Sequence, residues 1–222
     1  MGILTAISTL SDGSMLNREN KSDPEVIRNR ENFLATHSIT RNQTVRLRVH
    51  FETKDFCRYR TVSTQHAGQG MVDDNIVPAD ALITTDKNLA LLLPVADCIG
   101  AVIYDPDHEV LALAHFGRHS LEQKGAEKII KHLHDEYSSQ AENLKIWMTP
   151  AAGKNVYPIW KLGGKGMKEA AFEQLASAGI QKSQIIDNPA ETTSDPRYFS
   201  YSEFLKGHRA NDGDHAIFAI MQ

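Results

Sequence analysis

Only two cysteines, Cys57 and Cys98, occur among the 222 residues. That is too few for the disulfide framework of a small secreted domain, so free or metal-bound thiols in a reducing compartment are expected. No stretch of 18 apolar residues is present, and no membrane-spanning helix is expected. Charge of either sign is scarce in excess: a net charge of -4 gives no electrostatic ground for nucleic acid or an anionic membrane. The opening Met1-Gly2-Ile3-Leu4-Thr5-Ala6 lacks the charged start of a secretory signal, and Gly2 makes a poor acylation site. A cytoplasmic protein is the expectation. Internal repeats, low-complexity tracts and convincing linkers are also missing, so residues 1–222 read as one domain. No dinucleotide-binding glycine fingerprint follows a predicted strand. The glycine-rich Leu162-Gly163-Gly164-Lys165-Gly166 lacks P-loop spacing and a Ser or Thr after the lysine, so it reads as a surface turn.

What is present is ordinary globular patterning. Asp23 can cap a helix that begins at Pro24, with Glu25 at its positive end and Val26, Ile27, Phe33 and Leu34 on its buried side. Thr44 to His50 alternates: Val45, Leu47 and Val49 face one way, and Arg46, Arg48 and His50 the other. The block Ala79 to Phe116 is the most apolar, with buried strands predicted over Leu89–Val95, Ile99–Tyr104 and Val110–His115. A helix is predicted from Ser120 to about Tyr137, a strand over Leu144–Met148, a helix over Met167–Ala178 closed by Gly179, and a last strand over Ala216–Met221. His132 and His134, two apart on a helix, do not share a face and read as solvated. Hairpin-linked strands with segregated helices indicate an α+β fold.

Asp105-Pro106-Asp107 is strong turn chemistry between two apolar strands. A turn centred between Pro106 and Asp107 sets Cys98 directly across from His115, with β-carbons about 5 Å apart on one sheet face. Thiolate and imidazole at that separation can bracket a zinc ion. The pattern supplies two ligands and leaves the third open. A small buried thiol beside a hydrogen-bonded histidine is the plain alternative.

Ala96-Asp97-Cys98 followed after a hairpin by His115-Phe116-Gly117 resembles the central signature of the laccase-domain family, whose members include polyphenol-oxidase-like proteins and zinc-type purine nucleoside phosphorylases. Ala79-Asp80-Ala81-Leu82-Ile83-Thr84 resembles its preceding strand, and Leu16-Asn17, Asn29-Arg30 and Tyr198-Phe199-Ser200-Tyr201 add weaker matches. The resemblance implies mixed sheets layered with helices in an α/β/β/α sandwich. It also implies a third metal ligand, which fits Arg48-Val49-His50 best, with His66 as the rival. By the same resemblance the site is a zinc centre of His50, Cys98 and His115, open at its fourth position, acting on purine nucleosides with phosphate and also deaminating adenosine. On that reading Asp97 is a candidate acid or base, Arg48 a phosphate grip, and Arg46 and Gly117 further substrate contacts. Another zinc hydrolase or deaminase, or a metal- or nucleoside-binding protein without turnover, is the competing reading. Copper could occupy such a site, but multicopper phenol oxidation needs many clustered histidines that this sequence lacks. The sequence departs from the family at Arg118-His119, where a bulky tryptophan and a basic residue are usual, and at Ser202-Glu203, where a basic pair is usual. Those departures bear on substrate preference.

Overall fold

The computed structural model describes residues 2–222. In chain order the strands are β1 (Ile3–Ile7), β2 (Thr44–Arg46), β3 (Tyr59–Thr61), β4 (Ala81–Thr84), β5 (Ala90–Val95), β6 (Ile99–Asp105), β7 (Val110–Phe116), β8 (Lys145–Met148), β9 (Ile185–Asp187) and β10 (His215–Met221). The α-helices are α1 (Pro24–Ala35), α2 (Arg118–Glu122), α3 (Gly125–Tyr137), α4 (Met167–Ser177) and α5 (Tyr201–Leu205). A four-stranded sheet runs β1-β10-β5-β2 and a six-stranded sheet runs β3-β4-β7-β6-β8-β9.

Three apolar layers explain why these elements stack. Between the sheets pack Val45, Leu47, Leu91, Leu93, Val102, Leu113 and Ile217. The opposite face of the larger sheet, through Ile99, Ala101, Ile103, Ala112 and Ala114, meets Ile129, Leu133, Ala171 and Leu175 of α3 and α4. The opposite face of the smaller sheet, through Leu92 and Phe218, meets Phe33 and Leu34 of α1. Because strand side chains alternate, central strands here must be apolar on both faces. That is why β5, β6 and β7 read as continuous hydrophobic runs. The result is the expected α/β/β/α order.

Local expectations fared well where chemistry was explicit. Asp23 accepts the Glu25 N–H at 2.9 Å ahead of Pro24, so α1 starts where the cap demands. Gly179 takes φ +91° after α4. The single helix predicted from Ser120 is instead two, α2 and α3, broken at Lys124, which adopts a left-handed φ of 61°. The Thr44–His50 strand pairs only over Thr44–Arg46; beyond it Leu47 N–H still reaches the Leu92 carbonyl at 2.7 Å, and then the ladder ends.

The hairpin register also needs correcting. Asp105 pairs with Val110 and Gly100 with His115, so Cys98 is not directly opposite His115. The cause is the turn: the Asp105 carboxylate accepts the Asp107 and His108 N–H groups at 2.9 and 3.3 Å, and Glu109 closes the loop at φ 53°. Residues 106–109 all lie in the loop. The pairing therefore moves by two residues, which preserves facing, whereas a one-residue slip would have reversed it. Among the described residues no helix is long and apolar enough to cross a membrane.

Candidate functional site

β5 and β6 are consecutive in sequence but lie in different sheets. Ala96, Asp97 and Cys98 carry the chain across, with Asp97 in the left-handed region at φ 71°. Cys98 thus stands at the seam between the sheets, just ahead of β6. His115 lies near the end of β7, its N–H donating to the Asp80 carbonyl at 2.8 Å. The two functional groups converge beside Gly117. A β-carbon on that glycine would fall 3.1 Å from Cys98 Sγ and 3.2 Å from His115 Nε2, with His115 Cε1 closer still at 2.6 Å. Any side chain at position 117 would displace one of them. Gly100 plays the matching role one layer deeper, where Ile217 leaves no room for a side chain.

Burial sets the resting protonation of the pair. It pushes the Cys98 thiol up to about 12, with the negative charges of Asp97 and Asp214 adding to the effect. It pushes the His115 imidazole down to about 4, against a smaller pull from Asp80. At neutral pH the pair is therefore a protonated thiol and a neutral imidazole. A neutral imidazole is ready to bind a metal, and the thiol would give up its proton on coordination.

The other expected residues are placed less simply. The His50 carbonyl accepts from Arg58 Nη2 at 3.3 Å, and the next side chain, Phe51, stands edge-on to His115 with ring centroids 6.1 Å apart. Among the described residues, no three His, Cys, Asp or Glu side chains gather in a group able to hold a metal; the thiol and imidazole form a two-donor arrangement. The rival His66 turns inward to its own turn, its Nδ1 receiving the Ser63 N–H at 3.0 Å. Arg46 and Arg48 project from the polar face as expected but share Asp74: Arg46 Nη2 pairs with one carboxylate oxygen and Arg48 Nε lies 2.7 Å from the other. Arg46 is buried and further clamps the Gly70 and Asp73 carbonyls. Both carboxylate oxygens of Asp97 are engaged, one by Thr192 Oγ1 and one by the Ser202 N–H, each at 2.7 Å. The glycine-rich 162–166 turn ends in Gly166, whose N–H meets the Glu169 carboxylate at 3.3 Å. A side chain of the protein already occupies that place for an anion.

Sequence reasoning missed several residues. Phe51 is 63 % exposed beside His115; an aromatic directly after the alternating segment was the available signal. Arg30, fully buried, donates through Nε to the Met15 carbonyl at 2.7 Å and through Nη1 to that of Met71 at 3.1 Å. His215, also fully buried, has no hydrogen-bond partner on either ring nitrogen and faces the Tyr198 ring at 5.3 Å. A broad open groove of about 700 Å³ lies away from the pair, along Trp147, Ile186 and Tyr198. Its charges are already paired, Asp187 with Lys168 from outside the groove and Asp195 with Arg197 within it.

His215 gives a pH-dependent expectation. Burial pushes its pKa to about 4, while Asp97 pulls weakly the other way. The folded state therefore binds fewer protons than the unfolded chain below about pH 6.5. The stability linked to this imidazole is intact above that pH and is lost as pH falls toward 4. Asp214 acts in the opposite sense, since burial raises it to about 6 against Arg18. A single-site variant separates the two. His215→Leu is expected to be at least as stable as wild type at pH 7 and more stable by about 3 kcal/mol at pH 4, measured by urea unfolding at both. Parallel pH dependence in the two proteins would show that His215 finds a partner in solution.

Residues 14–167 match the family model described as multi-copper polyphenol oxidoreductase laccase, and the chain belongs to that family. A purine nucleoside phosphorylase of Corynebacterium glutamicum is 30% identical over 142 residues, covering 55% of this chain and 56% of that protein. One from Clostridium acetobutylicum is 22% identical over 148 residues, covering 58% and 63%. The matches thus span less than two thirds of either relative. Among solved structures, YlmD from Geobacillus stearothermophilus superposes with a TM-score of 0.85 at 18% identity, covering 100% of this chain and 92% of that one. The hypothetical protein YfiH of Bacillus licheniformis gives 0.84 at 19%, covering 99% and 93%. At such identities these likenesses speak for the fold.

Proposed function

We propose that this chain is a zinc-dependent purine nucleoside phosphorylase that acts on adenosine and inosine, with deamination of adenosine as a side activity. The observation that carries the reading is the approach of Cys98 Sγ and His115 Nε2 to one point beside Gly117, with the exposed ring of Phe51 edge-on to His115. The two relatives named as purine nucleoside phosphorylases lend it support. The two donors present are of the kind zinc takes, one sulfur and one uncharged nitrogen, and they supply half of a four-coordinate shell. Cys98 and His115 would hold the ion, with His50, next to Phe51, as third donor. Zinc would supply positive charge and Lewis acidity to an oxygen nucleophile.

The chain's own residues do the rest. Phe51 offers an apolar face to a purine ring. In the reaction a phosphate oxygen bonds to the ribose anomeric carbon as the bond to purine N9 breaks. The base leaves with the proton that hydrogen phosphate gives up, and ribose 1-phosphate remains.

Chromatography of adenosine and inosine incubated with the purified zinc-loaded protein tests this. Free base formed only when phosphate is present is the expected result. Inosine formed from adenosine without phosphate would mark the deaminase activity. If zinc is bound and neither product forms, the proposed function is wrong.

A further inference from the structure

Phosphorolysis needs an oxyanion holder, and Arg48, the arginine expected for that task, is already paired with Asp74 at 2.7 Å. Arg58 is likewise paired with Asp80, and Arg18 with Asp212 and Asp214. Arg118 differs. It follows Gly117 directly, its backbone N–H lies against the Cys98 thiol, and its side chain is exposed. Among the described residues it makes no ion pair, and its one side-chain hydrogen bond joins Nη2 to His119 Nε2 at 3.2 Å. His119 is itself held in place. Its ring stacks on Phe56 with centroids 4.7 Å apart, and its Nδ1 faces Glu122 at 3.7 Å. The charge of Glu122 is drawn off in turn by Lys161 at 3.1 Å. An uncompensated guanidinium, carried by the residue whose backbone N–H meets the thiol, is thus steadied by a stacked imidazole.

Resting on the phosphorylase reading, we propose that Arg118, supported by His119, binds the phosphate co-substrate beside Cys98 and His115. The planar fork of a guanidinium matches two phosphate oxygens at once, which a lysine cannot do. A free charge also avoids the cost of first breaking an ion pair, which Arg46 or Arg48 would incur. His119 acts as a positioning residue: its Nε2 holds the guanidinium through Nη2.

The test uses the full-length zinc-loaded protein with Arg118→Met, Arg118→Lys and Arg48→Met variants. Two readouts are taken: initial rates against phosphate and against nucleoside, and inorganic phosphate binding by calorimetry without nucleoside. Arg118→Met is expected to raise the phosphate KM and Kd by about 30-fold or more and to leave the nucleoside KM within about twofold, with Arg118→Lys in between. Unchanged phosphate Kd and KM in Arg118→Met would overturn the assignment, as would a loss seen in Arg48→Met instead. If wild type binds phosphate through Arg118 but turns over no nucleoside, the anion site stands and the phosphorylase reading falls. A phosphorylase indifferent to Arg118 gives the reverse outcome.

Discussion

On the zinc reading, wild type is expected to carry about one ion per chain and Cys98→Ala almost none, with nucleoside turnover lower by roughly a thousandfold. Only a few donors are within reach of the space beside Gly117, and the thiol is one of the two that converge there. Removing the sulfur takes away the only anionic ligand of the proposed set and leaves neutral imidazoles alone, which hold a divalent ion far more weakly. Stability should move little by comparison. Cys98 packs only partly into the core, and cutting its side chain back to a methyl removes one weak sulfur acceptor, that of the Arg118 N–H. Metal analysis, a thermal melt and the product assay on the same preparation separate these effects. Equal metal in the two proteins would remove the thiol from the site, however turnover responds.

Asp97→Ala is expected to behave the other way, melting about 6–12 °C lower through a loss of about 3 kcal/mol. The lost carboxylate leaves the Thr192 hydroxyl and the Ser202 N–H without partners at a position only 5 % exposed. Alanine must also adopt the left-handed φ of 71°, which costs a residue other than glycine or asparagine a further fraction. Asp97→Asn keeps an acceptor and tolerates that conformation, so its loss should be about half as large. Turnover per bound zinc in Asp97→Asn should stay within a few-fold of wild type, measured well below its melting point. A collapse of kcat with an unchanged melt would restore Asp97 as an acid or base.

The sequence made some of this visible and hid other parts for identifiable reasons. Capping residues act over three or four positions, so the start of α1 at Pro24 and the end of α4 before Gly179 were legible. Strand alternation is equally local, and it separated buried Val45 and Leu47 from Arg46 and Arg48. The 106–109 turn was misjudged because its span depends on one carboxylate, that of Asp105, accepting N–H groups on the far side of Pro106. The parity of the strands survived, and with it the meeting of Cys98 and His115. What no local pattern could show was the partner of each charge. Asp74 lies 26 residues beyond Arg48 in the chain, in a loop with no regular structure, yet it claims both Arg46 and Arg48. The burial of Arg30 and His215 is likewise decided by distant elements closing over them.

The passage from β5 into β6 takes three residues, and the middle one anchors segments near Thr192 and Ser202 while the next supplies the thiol. Cohesion of the fold and the proposed chemistry therefore occupy the same short corner. Damage there will reach a cell as scarcity of protein and an assay as silence, and only counting folded molecules tells these apart. An engineer seeking a hardier version should look elsewhere, since this corner has no slack to lend.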